Sequence, residues 1–145
     1  MRALQDSPDA FRVTADEEAA TTAAEWRQRL ERPDAATFLA SCDGVDVGLA
    51  VGAPHHQHEA DAGLYAMWVA PQARGAGVGG ALISAVIEWA RGAGYRAVRL
   101  EVGSTNARAA RLYERAGFMP TGVTAALPPP RAHLVAHERV LDLQP

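Results

Sequence analysis

The residues best suited to chemistry lie in one run, Val69-Ala70-Pro71-Gln72-Ala73-Arg74-Gly75-Ala76-Gly77-Val78-Gly79-Gly80-Ala81-Leu82. An apolar strand pattern stops at Pro71, glycines follow, and a helical stripe opens at Val78. The first N–H groups of a helix lack intrahelical partners, and the helix dipole makes that end positive. Glycines let backbone amides reach an anion without side chains in the way. The chemistry this predicts is the binding of a phosphate or pyrophosphate. It is not a P-loop, which needs a lysine, because the chain has none. Nor is it the dinucleotide fingerprint G-x-G-x-x-G. Gly77-Val78-Gly79 runs on to Leu82 where the third glycine belongs, although Glu101 is roughly placed for a ribose partner.

Other reactive side chains carry less. Cys42 is the single cysteine, so there is no disulfide framework and no cysteine zinc site. It ends a short apolar run without a nucleophile motif and reads as a small buried hydrophobe. His55, His56 and His58 are close enough to touch a metal, but a polar, solvated connection accounts for them, and no metal is expected. Pro128-Pro129-Pro130 reads as a stiff surface connection.

The elements that must position the glycine turn follow from periodicity. Ala19, Ala23, Trp26 and Leu30 predict a helix over 15–32, ended by Pro33-Asp34. Residues 37–42 and 45–51 predict two strands joined at Asp43-Gly44, a strong hairpin signal. Residues 64–69 predict a strand. Val78, Leu82, Ala85, Val86 and Trp89 stripe a helix over 78–91, with Gly92 and Gly94 at its end. A strand over 97–102, with Arg99 and Glu101 outward, precedes a helix over 107–116 and Gly117 in the favoured position past its end. Two more strands are expected over 119–124 and 133–143. Strands alternating with helices, flanked by hairpins, predict a mixed α/β sheet of about six strands.

Composition excludes several classes. The 145 residues suit one domain, 1–145, and 48% hydrophobic with 21% charged residues is a globular balance. Net charge is −3, with all 14 basic residues arginine, which leaves no basic footprint for nucleic acid. No apolar run reaches the ~20 residues of a membrane span. The opening residues turn polar too early for a signal peptide, so a cytoplasmic location is the expectation.

Arg74-Gly75-Ala76-Gly77-Val78-Gly79 resembles the acetyl-CoA signature of the GNAT superfamily of N-acetyltransferases: Arg or Gln, two residues, Gly, any residue, then Gly or Ala. Val69-x-Pro71 before it resembles the end of that family's fourth strand. After it, Leu100-Glu101-Val102, Asn106, Ala109, Leu112-Tyr113 and Gly117-Phe118 resemble the second half of the family pattern. The likeness is best from Thr37 to Phe118. It implies a GNAT-like fold, a mixed and mostly antiparallel central sheet flanked by helices, with two central strands splayed around acetyl-CoA. It implies that Met67, Trp68 and Val69 run beside the pantetheine and thioester, with the Val69 amide as oxyanion donor. Arg74 and the turn Gly75, Ala76, Gly77, Val78, Gly79 and Gly80 would hold the pyrophosphate. Asn106 would bind the pantetheine arm or cap its helix, or both. Tyr113 would protonate the departing thiolate or serve as a packed aromatic. Glu101 would be the base, or a structural or substrate-orienting carboxylate, with Tyr65 and His133 as competitors for the base.

Set against the family pattern, the chain starts late. Either this start falls too late, or the protein is expected to work without the usual first strand and most of the first helix; Arg2 to Phe11 resembles the end of that helix. An uncovered strand over 37–42 would expose unpaired backbone groups. Residues 11–14 or a second subunit are therefore expected to cover it, the latter as a homodimer. The reaction implied is transfer of the acetyl group of acetyl-CoA to a primary amine by direct attack. A peptide N-terminal acetyltransferase and a non-catalytic acyl-CoA-binding domain are the alternatives.

Overall fold

The computed structural model describes residues 1–11 and 13–144. Strands β1 (Ala36–Cys42), β2 (Val45–Pro54), β3 (Ala62–Val69), β4 (Ala97–Gly103), β5 (Met119–Ala126) and β6 (Val135–Asp142) form one sheet in the order β1-β2-β3-β4-β6-β5. Every neighbouring pair is antiparallel except β3 with β4. The expected mixed, mostly antiparallel sheet is therefore the observed one. The β1–β2 turn has φ of 50° at Asp43 and 78° at Gly44, the doubly positive geometry that matches strand twist and favours Asp-Gly.

Helices α4 (Val78–Gly92) and α5 (Ala107–Arg115) cover one face. Leu82, Ile83 and Val86 of α4 pack against Leu64, Val98, Leu100 and Phe118 in the main core. Burying each such side chain is worth about 1.5–3 kcal/mol. Gly48 and Gly52 of β2 let the helix approach. A Cβ on Gly48 would stand 2.8 Å from Leu82, and one on Gly52 would stand 2.6 Å from Trp89. The opposite face carries the chain's beginning. Ala3, within helix α1 (Arg2–Asp6), and Phe11, just after the short turn Pro8–Ala10, pack there against Val47, Trp68 and Ala70.

Several expectations change. The helix over 15–32 is two helices, α2 (Ala15–Ala19) and α3 (Ala23–Leu30), because Thr14 with Glu17 and Thr22 with Glu25 each close a capping box. No residue of α3 is buried, so its stripe does not reach the core. Cys42 is exposed, not buried, since it ends an edge strand beside the hairpin turn. Arg99 does not point freely outward but is clamped between two carboxylates. His55 is buried, while His56 and His58 are exposed. β1 pairs only with β2 among the described residues, and Phe11 packs on the sheet face, not along β1. Arg12, within the segment expected to cover β1, lies outside the described residues.

Candidate active site

Strands β3 and β4 share only two rungs, Ala62 with Val98 and Gly63 with Arg99. Beyond them the strands separate, and a cleft of about 1830 Å³ opens between and beside them. The separation begins near an irregularity. Leu49 of β2 pairs with Trp68 but Val51 pairs with Tyr65, so Ala66 and Met67 of β3 stand opposite one residue. Ala66 there has φ of 53°, a left-handed conformation that is unfavourable for a residue with a Cβ. Bulges bend a strand and re-aim its groups. The Ala70 amide donates to Val47 O at 2.7 Å, toward β2. By strand alternation the Val69 amide points the other way, into the gap. The Val69 carbonyl accepts from Arg74 Nε at 2.9 Å, so Arg74 bridges the end of β3 to the glycine turn.

The turn leads into α4 through Gly77 at φ 85°, preceded by Gly75 at φ 81°. Helices α2, α3 and α5 are capped by Thr14, Thr22 and Asn106 side chains, whereas Gly77 offers α4 no side chain. The first amides of α4 are thus left for an external acceptor. A Cβ on Gly75, Gly77 or Gly80 would meet nothing within 4 Å, so the cradle is open. Gly79 differs, because a Cβ there would lie 2.8 Å from Leu112 of α5. Its missing side chain lets α4 and α5 pack closely, while its amide remains in the first turn of α4. These features fit a pyrophosphate group.

Of the residues expected at the site, Met67, Trp68, Val69 and Arg74 line the cleft, as do Gly75, Gly77, Gly79 and Gly80. Glu101, Asn106 and Tyr113 join them from β4 and α5. Ala76 is exposed at the turn, and Val78 packs toward Gly48; neither lines the cleft. Asn106 Oδ1 accepts from the Ala109 amide at 3.2 Å, so the cap is formed. Tyr113 is buried, edge-on to Phe118 with centroids 6.0 Å apart. Burial holds its phenol pKa well above the usual tyrosine range, so the hydroxyl stays protonated. Glu101 is exposed and stands across from Glu138 of β6. Tyr65 lines the cleft, whereas His133 lies in the exposed loop before β6 and does not.

Two clusters had no signal in the sequence. Asp6 of α1 accepts from Trp68 Nε1 at 3.0 Å and from Arg74 Nη2 at 2.7 Å, tying the chain's beginning to the splayed strand. Arg99 donates to Asp61 at 2.6 Å and to Glu138 at 2.9 Å. Each joins residues far apart in sequence, which no local spacing reveals. Among the described residues no group of side chains could hold a metal ion, and no helix is long and apolar enough to cross a membrane.

A sheet opened between two central strands, with an uncapped glycine turn at the open end, defines an α/β domain suited to a pyrophosphate-bearing ligand. The model of the acetyltransferase (GNAT) family matches residues 2–118, and the chain belongs to that family. A mycothiol acetyltransferase from Cellulomonas flavigena is 36% identical over 132 residues, 83% of this chain and 38% of that protein. The chain therefore spans well under half the length of that relative. An N-acetyltransferase structure from Staphylococcus aureus superposes with a TM-score of 0.82, at 20% identity, over 99% of this chain and 90% of that one. A streptothricin acetyltransferase structure from Bacillus anthracis, in complex with acetyl coenzyme A, has a TM-score of 0.71 at 22% identity and covers 81% of this chain and 68% of that one.

Proposed function

We propose that this chain transfers the acetyl group of acetyl-CoA to a primary amine by direct attack, within the splay of β3 and β4. The observation that carries the reading is the two-rung contact of those strands, with the uncapped amides of α4 at the open end. Acetyl-CoA supplies the activated thioester. Amides from Gly75 to Gly80 hold its pyrophosphate, and Arg74 keeps the turn against β3. The Val69 amide donates to the carbonyl oxygen as negative charge builds there, a contribution typically worth ~10²–10³ in kcat. Tyr113, protonated and buried, donates its proton to the departing thiolate. Glu101 meets the acceptor as a carboxylate that orients its ammonium. The C. flavigena relative is named a mycothiol acetyltransferase, so a thiol-bearing primary amine such as cysteamine belongs among the acceptors to be tried.

The test is CoA release with acetyl-CoA and a panel of primary amines: spermidine, tyramine, glucosamine, cysteamine and an alanyl peptide, with acetylated amine as the product measured. Direct attack requires both substrates bound together, so double-reciprocal lines intersect. Parallel lines, the pattern of a covalent enzyme intermediate, contradict the mechanism. In the turning-over enzyme, Tyr113→Phe lowers kcat by ~10²–10⁴ with acetyl-CoA affinity unchanged. A variant as fast as the parent confines Tyr113 to packing.

A further inference from the structure

The closed end of the cleft, where β3 and β4 are still joined, holds a built arrangement of side chains that acetyl-CoA binding does not use. Leu64, Leu100 and Val102 face the main core, so Tyr65, Arg99 and Glu101 share the opposite face by strand alternation. Gly63 belongs to the last shared rung, opposite Arg99. The Tyr65 ring lies back over Gly63. A Cβ there would come within 2.4 Å of the ring and its hydroxyl. Only glycine at 63 permits this pose, and the pose carries the phenol toward the point where the strands part.

The hydroxyl meets His56 Nδ1 at 3.5 Å. His56 is held there by a closed loop. The His55 amide donates to Asp61 O at 2.9 Å, and the Asp61 amide donates to His58 O at 2.9 Å. The Asp61 side chain is gripped by Arg99, which Glu138 holds from its other side. Beneath His56 lies the His55 ring, stacked at a centroid distance of 4.5 Å. His55 Nδ1 accepts from the Gln57 amide at 3.2 Å and so carries no proton, and burial pushes this imidazole's pKa down. His55 is a neutral platform, and His56 is the ring whose Nδ1 faces the Tyr65 hydroxyl. Asp61 and Glu138 are paired with Arg99 at this end, and Arg32 lies within electrostatic reach of Tyr65.

We propose that Tyr65 and His56 form the path by which the acceptor ammonium loses its proton, with Tyr65 touching the amine and His56 acting through it. The inference rests on the acetyltransferase reading. An ammonium has no lone pair and cannot attack until one proton leaves. That proton passes to the Tyr65 oxygen as the Tyr65 proton passes to His56 Nδ1. The products are a neutral amine, a restored phenol and an imidazolium, with charge and proton count conserved. Glu101 then orients the ammonium without having to accept its proton.

The experiment uses the full chain with acetyl-CoA and the best amine of the panel above. Tyr65→Phe keeps the ring over Gly63 and removes only the hydroxyl. It is expected to lower kcat about 100-fold, the low end of acid–base contributions, while calorimetric acetyl-CoA affinity stays the same. His56→Gln lowers kcat to a similar degree, and the double variant is no slower than the slower single one, because the two act as a unit. Gly63→Ala, which displaces the ring, reproduces the loss. Tyr65→Phe and His56→Gln at the parent rate, or losses that multiply in the double variant, overturn the relay. A parent chain that turns over no amine overturns the acetyltransferase reading and the relay with it. A parent that turns over as fast as its variants overturns the relay alone.

Discussion

The open and closed ends of the β3–β4 cleft are made by different means. At the open end the working groups are backbone amides. Glycines at 75 and 77 hold φ near 80°, and no side chain caps α4. At the closed end the working groups are side chains from four places: Tyr65 on β3, Arg99 and Glu101 on β4, Glu138 on β6 and the loop bearing His56 and Asp61. A backbone site accepts a group shared by every reaction of its class, whereas a side-chain site can be retuned residue by residue. On the proposed function, the cofactor half would be general and the acceptor half particular to this chain.

Gly77→Asp is the sharpest way to break the open end. Nothing lies within 4 Å of a Cβ there, so the chain still folds, and Asp tolerates the left-handed backbone better than most residues. Its carboxylate occupies the anion's place, and acetyl-CoA binding is expected to vanish by calorimetry while the far-ultraviolet circular dichroism stays the same. Unchanged affinity in the folded variant removes the pyrophosphate site from this turn. At the closed end, Arg99→Met leaves Asp61 and Glu138 as buried carboxylates without their shared partner. Breaking such a pair costs about 3 kcal/mol, read as a lower urea midpoint, and acetyl-CoA affinity should be unaffected wherever the variant is folded. Equal stability would mean that the clamp does not hold the closed end.

Gly79→Ala separates packing from anion binding within one turn. Its Cβ would press on Leu112, a flexible side chain, and the expected cost is about 1 kcal/mol of stability with acetyl-CoA binding retained. Loss of binding without loss of stability would mean that the added methyl group, and not the backbone amide alone, reaches the cradle. The smallest effect concerns the brace between α1 and β3. The Ser7 hydroxyl, then the Trp68 N–H and the Arg74 guanidinium, hold the Asp6 carboxyl below its usual range. A depressed folded pKa means that the brace is fully present above the ordinary aspartate range and is lost as pH falls through the folded value. The indole N–H resonance of Trp68 should therefore shift on acidification, and Asp6→Asn should abolish that transition. A resonance that shifts equally in Asp6→Asn assigns the change to another group.

Legibility in the sequence followed the same division. The glycine turn, the Asp43-Gly44 hairpin, the α4 stripe and Gly117 past α5 are local patterns, and each matches an observed element. Tyr113, Glu101 and Asn106 could be located from spacing against a known pattern, although their contacts could not. The break between α2 and α3 was also local, in two T-x-x-E boxes, but the apolar spacing across it suggested one helix. What could not be read is what depends on tertiary contact. Cys42 looks buried by type but is exposed at the end of the edge strand β1. Arg99 looks solvent-facing by alternation until Asp61 and Glu138 arrive from other elements. Ala66 at φ 53° has no signature at all, since alanine does not advertise a left-handed backbone.

Amide hydrogen exchange tests directly whether the gap side of β3 receives acetyl-CoA, with a control one residue away. The Ala70 amide already donates to Val47 O, whereas the Val69 amide faces the gap. Saturating acetyl-CoA is expected to slow exchange at Val69 by about tenfold or more and to leave Ala70 nearly unchanged. Protection confined to residues away from β3, β4 and the glycine turn, with Val69 exchanging as in the free chain, would rule out acetyl-CoA binding in this gap.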